Sequence, residues 1–242
     1  MIAELMTALY SFYNAIFQPV LSLGPYAALT FFSVCLAALF SGIRYMLLDH
    51  EKADKIQDKI SEHQEKMKEA RENGEDEKAS KHTKKVFKHN QKFMMLNMKP
   101  MIGTMVFVAL IFPWLGSVFA PTVQLQQTSP GMYEGTFTYA NQQTPITVDN
   151  TSEQYKLLVG DQEVRPGEHA EINGFQWTFK NVHDKDPGIF TNIDSKVAAF
   201  NGRFVPLPFS IPLAGEALNW LGFYILIAMP LTFIFNKALG IQ

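Results

Sequence analysis

Residues 49–99 read DHEKADKIQDKISEHQEKMKEARENGEDEKASKHTKKVFKHNQKFMMLNMK and hold 13 Lys/Arg and 11 Asp/Glu. The sequence on either side, 25–48 and 101–119, is apolar and nearly free of charge. Crossing a bilayer takes about 20 apolar residues, so a charged insert here hangs between two membrane spans. Within it Ile56, Ile60, His63, Met67 and Ala70 alternate steps of four and three. Ala79, Thr83, Val86, Asn90, Phe93 and Asn97 repeat the pattern after Asn73-Gly74, where a glycine can close a helix in the left-handed conformation. The pattern predicts an antiparallel coiled-coil hairpin over 49–99. Each arm is about 36 Å long at 1.5 Å per residue, and its seam is poor in leucine.

A third nearly charge-free window, 216–235, completes three predicted spans at 25–48, 100–119 and 214–236, with a short tail at 237–242. No Lys or Arg precedes Arg44, so the N-terminus lacks the basic region of a cleavable signal peptide. Over 1–24, Ile2, Leu5, Leu9, Phe12, Ile16 and Val20 form a stripe at helical spacing that Asn14 and Gln18 lie off. That is an amphipathic helix, expected in the membrane interface, with packing on neighbouring elements as the alternative. Lys and Arg near span ends mark the cytoplasmic side. The 49–99 insert has 13 and the longer segment 120–215 has 6, which puts the insert and the C-terminus in the cytoplasm and the N-terminus outside.

Several polar residues fall inside the spans. Thr30, Ser33, Ala37, Ser41 and Arg44 share one helix face, while Phe31, Phe32, Leu36, Leu39 and Phe40 mostly point elsewhere. Either the small residues allow close helix packing, or the stripe lines a wet groove. Thr104 in the second span and Thr232 and Asn236 in the third also lie toward the inner ends. If these faces converge, Ser33, Ser41, Arg44, Thr104, Thr232 and Asn236 form a polar cavity in the cytoplasmic half of the bilayer. Met94, Met95, Met98, Met101 and Met105 crowd the mouth of the second span. Methionine is flexible and polarizable and suits varied apolar ligands, although ordinary interfacial packing would also use it. Lys78, Lys81, Lys84, Lys85, Lys88 and Lys92 make the second arm basic. They suit ribosomal RNA or anionic lipid headgroups, or simply a solvated face.

Residues 120–213 change character. Turn signals recur at Ser129-Pro130-Gly131, Gly160-Asp161, Pro166-Gly167, Asn173-Gly174 and Asn201-Gly202. Phe175, Trp177 and Phe179 alternate with polar residues at the period of a half-buried strand. The segment reads as an extracytoplasmic all-β domain of roughly eight short strands, a sandwich or small barrel, with both Asn-Gly pairs closing tight hairpins. Asn150-Thr151-Ser152 is a glycosylation sequon. His169, His183, Asp184 and Asp186 have no metal-site spacing, and no phosphate-cradling glycine loop, HExxH or nucleophile elbow is present. The sequence therefore implies neither an enzyme nor a cofactor or metal.

The order of these parts resembles the archaeal YidC-like proteins of the Oxa/Alb/YidC insertase superfamily. The parts are an N-out first span ending in Arg44, a cytoplasmic hairpin, a second span opening Asn97-Met98-Lys99-Pro100-Met101, and a third span. The superfamily includes the third subunit of the eukaryotic endoplasmic reticulum membrane protein complex and the membrane receptor for tail-anchored proteins. The resemblance covers about residues 1–119 and 214–242; a β domain between the second and third spans departs from the compact members. It implies a multi-pass protein of the plasma membrane that passes client transmembrane segments through a hydrophilic groove without ATP. Arg44 matches the family's groove arginine, nascent membrane proteins are the clients, and the hairpin meets the ribosome. A Sec translocon as accessory partner is left open, and no small-molecule substrate is implied. A different class stays in play, a membrane adaptor binding a cytoplasmic partner on the hairpin and an outer partner on the β domain.

Overall fold

The computed structural model describes residues 2–151, 154–184, 196–211 and 215–241. Ser152 of the sequon and Lys185, Asp186, Pro187 and Gly188 of the polar turn lie outside them. Helices α1 (Ile2–Leu21), α2 (Pro25–Leu47), α3 (His50–Glu72) and α4 (Asp76–Phe119) come first. Strands β1 (Thr122–Ser129), β2 (Met132–Tyr139), β3 (Gln142–Asp149), β4 (Lys156–Val159) and β5 (Gln162–Val164) follow. Then come β6 (His169–Ile172), β7 (Phe175–Asp184), β8 (Lys196–Gly202), β9 (Val205–Ile211), β10 (Gly215–Leu218) and the last helix, α5 (Trp220–Ala238). Among the described residues three helices, α2, α4 and α5, are long and apolar enough to span a membrane.

Two bounds differ from expectation. The second hairpin arm and the second span are one unbroken helix of 44 residues, about 66 Å long. The third span starts at Trp220 rather than 214, because 215–218 is spent on a strand and Asn219 then caps the helix by accepting from the Gly222 amide at 2.9 Å. The chain divides into two units, Met1–Cys35 with Leu110–Ala228, and Leu36–Ala109 with Met229–Gln242.

The first unit contains the β domain. Its eight-stranded antiparallel sheet has the order β5-β4-β3-β2-β1-β8-β7-β6, so the two edge strands are β5 and β6. These edges nearly meet. The Gln162 side-chain amide donates to the Glu171 carbonyl at 2.9 Å and accepts from the Glu171 amide at 2.8 Å, taking the part of a missing strand. The sheet is thus almost a closed barrel, which blunts the exposed-edge hazard. Phe175, Trp177 and Phe179 point inward as the alternation predicts, and join Leu125, Phe137, Val148, Leu157 and Phe200 in the core. A bulge between Phe179 and Asn181 then resets the phase so that Val182 is the next inward residue.

Of the two Asn-Gly pairs only one closes a hairpin. Asn173 and Gly174, with φ of 55° and 75°, join β6 to β7. Asn201-Gly202 instead ends β8, with Gly202 paired to Trp177. A Cβ on Gly202 would meet Phe204 at 2.8 Å, so packing, not a turn, requires that glycine. Ala140 and Asn141 form a positive-φ turn between β2 and β3 that has no glycine to announce it.

Helix α1 leaves its apolar stripe outward, where an interfacial helix would present it, and packs through its other face, the alternative. Leu5, Phe12 and Ile16 of the apolar stripe are exposed, while residues off it are engaged. Asn14 accepts from Trp114 Nε1 at 2.9 Å, Gln18 donates to the Ala140 carbonyl at 3.0 Å, and Tyr13 and Phe17 pack on the Trp114 ring. The helix therefore packs on its neighbours with an apolar stripe left outward. Trp177→Ala should destabilise the β domain by about 3–5 kcal/mol, read in the full chain as faster amide hydrogen exchange across β2, β7 and β8, whereas Lys180→Ala should leave the exchange unchanged.

Candidate functional site: a half-polar groove

The second unit carries 15 of the 21 Lys/Arg residues, namely Arg44, the 13 of residues 49–99 and Lys237. Its hairpin begins at Asp49, whose carboxylate caps α3 by accepting from the Lys52 amide at 3.1 Å. Lys52 beside Asp49 holds that carboxyl below its ordinary range. The tip closes as the glycine predicts. Gly74, with φ of 73°, donates to the Arg71 carbonyl at 3.1 Å, and Glu75 donates to Ala70 at 2.8 Å, the two bonds of a Schellman cap.

On α3 the seam is Ala53, Ile56, Ile60, His63, Met67 and Ala70, extending the expected positions by one. On α4 it runs Ala79, His82, Val86, His89, Phe93 and Leu96. Of the expected positions, Asn90 is exposed and its place is taken by His89, whereas Thr83, though exposed, donates across to the Met67 sulfur at 3.3 Å beside the half-buried His82. Leu48, Ala53 and Ile241 form a small core at the base, with Phe93 and Leu96 against it. Lys78, Lys81, Lys84, Lys85, Lys88 and Lys92 are all exposed, and Lys78 pairs with Glu75 at 2.8 Å.

Three helix segments of this unit surround a groove of about 650 Å³. From α2 come Phe40, Ser41 and Arg44; from α4 come Met94, Asn97, Met98, Pro100, Met101, Thr104 and Val108; from α5 come Thr232 and Asn236. The α4 residues recur at three- and four-residue steps, so one face of a single helix supplies most of the wall. Ser41, Arg44, Thr104, Thr232 and Asn236 thus meet as the converging faces required. Ser33 does not join them: it is fully buried, lies in the other unit, and donates to the Leu29 carbonyl of its own helix at 2.7 Å. The small-polar stripe of α2 therefore serves both readings in turn, packing at Ser33 and groove at Ser41 and Arg44. Phe40, expected to point away, lines the groove. Among the methionines, Met94, Met98 and Met101 line it; Met95 and Met105 are exposed but outside it.

The wall is apolar with a few polar points, and those points differ in kind. Thr104 is satisfied by the Met101 carbonyl at 2.9 Å, and Asn97 donates to Phe93 at 2.9 Å, next to Pro100, which brings no amide of its own to the helix ladder. Ser41 Oγ and Asn236 Oδ1 are buried and have no protein hydrogen-bond partner, and Arg44 makes no ion pair among the described residues. Buried polar groups are rarely left unmet, so Ser41 and Asn236, with the half-buried Arg44 beside them, mark where water or a ligand's polar groups would bind. Among the described residues no set of three His, Cys, Asp or Glu could hold a metal. His169 lies 3.3 Å from Thr178, and Asp184 pairs with Lys196 at 2.8 Å.

Three helices long and apolar enough to span a membrane define the class as a multi-pass integral membrane protein. Residues 14–143, just over half of the chain, match the family described as Integral membrane protein EMC3/TMCO1-like. The chain belongs to that family, which sits in the Oxa/Alb3/YidC-related insertase superfamily. Neither the curated proteins nor the solved structures compared with it contain a match.

Thr104 lines the groove while Val106, 54% exposed, does not. Thiolate forms only where water reaches. In a Cys35→Ala background in liposomes, Thr104→Cys should react with a water-soluble maleimide roughly tenfold faster than Val106→Cys; equal rates would mean a dry groove.

Proposed function

We propose that this protein is a membrane insertase that passes client transmembrane segments through its groove into lipid without ATP. The observation that carries the reading is the groove itself, an apolar, methionine-bearing wall with Arg44 and the unmet Ser41 and Asn236 atoms on one unit. The same unit holds most of the basic residues, and the positive-inside rule then turns its opening toward the cytoplasm, with the N-terminus outside and the C-terminus inside. The compartment is a plasma membrane, and within the superfamily the protein groups with the archaeal YidC-like members.

The size of the groove says what it handles. A helix is about 10–12 Å across and rises 1.5 Å per residue, so the space takes roughly one to two turns. It cannot enclose a whole span of about 20 residues. It suits the short polar flank that must cross ahead of the span, where unmet backbone groups cost several kcal/mol each in hydrocarbon. Wet polar points along half of the path lower that cost, and Arg44 attracts acidic flanks. The apolar segment then slides along the methionine wall into lipid, gaining about 0.8 kcal/mol per buried CH₂. No covalent chemistry or cofactor is required. The hairpin works as a coiled coil whose Lys78–Lys92 face contacts the ribosome, with a Sec translocon as an optional neighbour.

The test is insertion of an N-out client with an acidic tail into proteoliposomes. Arg44→Ala should slow it by roughly tenfold, about 1.4 kcal/mol, and Arg44→Lys should keep most of the rate. A client with an uncharged tail should respond less. Equal insertion by wild type and Arg44→Ala for every client would favour the adaptor reading, in which the groove is idle.

A further inference from the structure

The hairpin seam carries a layer that the groove does not use. His63 of α3 lies between His82 and His89 of α4, with ring centroids 5.3 and 5.5 Å away. His63 Nδ1 and His82 Nδ1 are 3.4 Å apart, and the His63 and His89 rings are inclined by only 32°. Histidines 82 and 89 are seven residues apart, so both face the partner arm. His89 Nδ1 is buried without a hydrogen-bond partner.

This geometry accepts neutral rings and resists charged ones. Across 3.4 Å one nitrogen donates and the other accepts; a second proton leaves two donors facing each other. The surrounding charge points the same way. From α3 the layer meets Lys59 and Glu62, and from α4 it meets Lys85, Lys88 and Lys92. Glu62 is the one carboxylate among them, and it is engaged by Lys66 at 2.5 Å. The rest of the seam is thin, with alanines at Ala53, Ala70 and Ala79, so there is little apolar burial to hold the arms against repulsion.

We propose that His63, His82 and His89 form a proton-sensitive catch that keeps the two arms zipped at neutral pH and releases them on acidification. The proposal stands apart from the insertase reading, since it concerns the hairpin alone. Burial, followed by nearby lysines, pushes His63 and His89 below the ordinary histidine range. A pKa lower in the zipped than in the open hairpin means that the open form takes up more protons. Zipping is then strongest above about pH 6.5 and weakens as pH falls through the lowered values.

The experiment is a pulsed electron-spin distance measurement on full-length protein in nanodiscs. Spin labels go at the exposed positions Gln64→Cys and Lys81→Cys in a Cys35→Ala background. The expected result is one short, narrow distance near about pH 7.5 and a longer population appearing near about pH 5. His63→Gln/His82→Gln/His89→Gln should flatten that response, and His82→Lys should open the arms at neutral pH. An unchanged distance at acid pH in the wild type would overturn the proposal, as would an undiminished response in the triple variant. Should the variants fail to fold, histidine ring titration of the wild type by NMR decides. Midpoints for His63 and His89 below about 6.5 support the catch; midpoints at or above it refute it.

Discussion

A polar group in hydrocarbon must find a partner or cost several kcal/mol, and this chain is organised by where it meets that demand and where it leaves it unmet. Ser33 answers within its own helix, by donating to Leu29. Thr104 and Asn97 do likewise on α4. Ser41 and Asn236 do not, and they share one groove with Arg44. A span built only to anchor would have carried apolar residues at those positions. Leaving two of them without a protein partner, beside Arg44, creates a place where water and foreign polar groups are favoured inside a membrane.

The rest of the molecule sorts around the same demand. In the first unit many polar atoms are consumed by the fold, as in the Asn14–Trp114 and Gln162–Glu171 bonds and the near-closed sheet, while Tyr139 Oη, Asn201 Oδ1 and Arg203 Nε are buried without a partner. The second unit keeps its charge on the hairpin surface and has unmet polar atoms in the groove and, at His89, in the hairpin seam. Its hairpin seam is held by few apolar contacts, and elements of low local stability are the ones that move.

The three spans, the hairpin tip and the inward face of β7 were legible because each signal is local: an apolar window, a glycine, an alternation. What was not legible depended on distant partners. The α4 seam could start with a step of three or four after Ala79, and both choices place polar residues in it; the opposing His63 brings in His82 and, in place of Asn90, His89, while Thr83 keeps a contact to Met67. On α1 the apolar stripe is plain in the sequence, but the bond of Asn14, off that stripe, to the Trp114 indole depends on a residue 100 positions away. Ser33 and Ser41 read alike in the sequence, two turns apart on one stripe, and differ only in what surrounds them. The bare turn at Ala140-Asn141 carries no glycine signal, while the Asn201-Gly202 signal misleads because that glycine is needed for the approach of Phe204.

Site-specific photocrosslinking to a ribosome-bound nascent membrane protein tests the central claim most directly. Probes at Met101 and Thr104 sit on the groove wall, and a probe at Val106 on the same helix lies off it. A groove that handles clients predicts adducts from Met101 and Thr104 that fade as the client integrates, with little from Val106. Equal adducts from all three positions, or none from the groove, would contradict it.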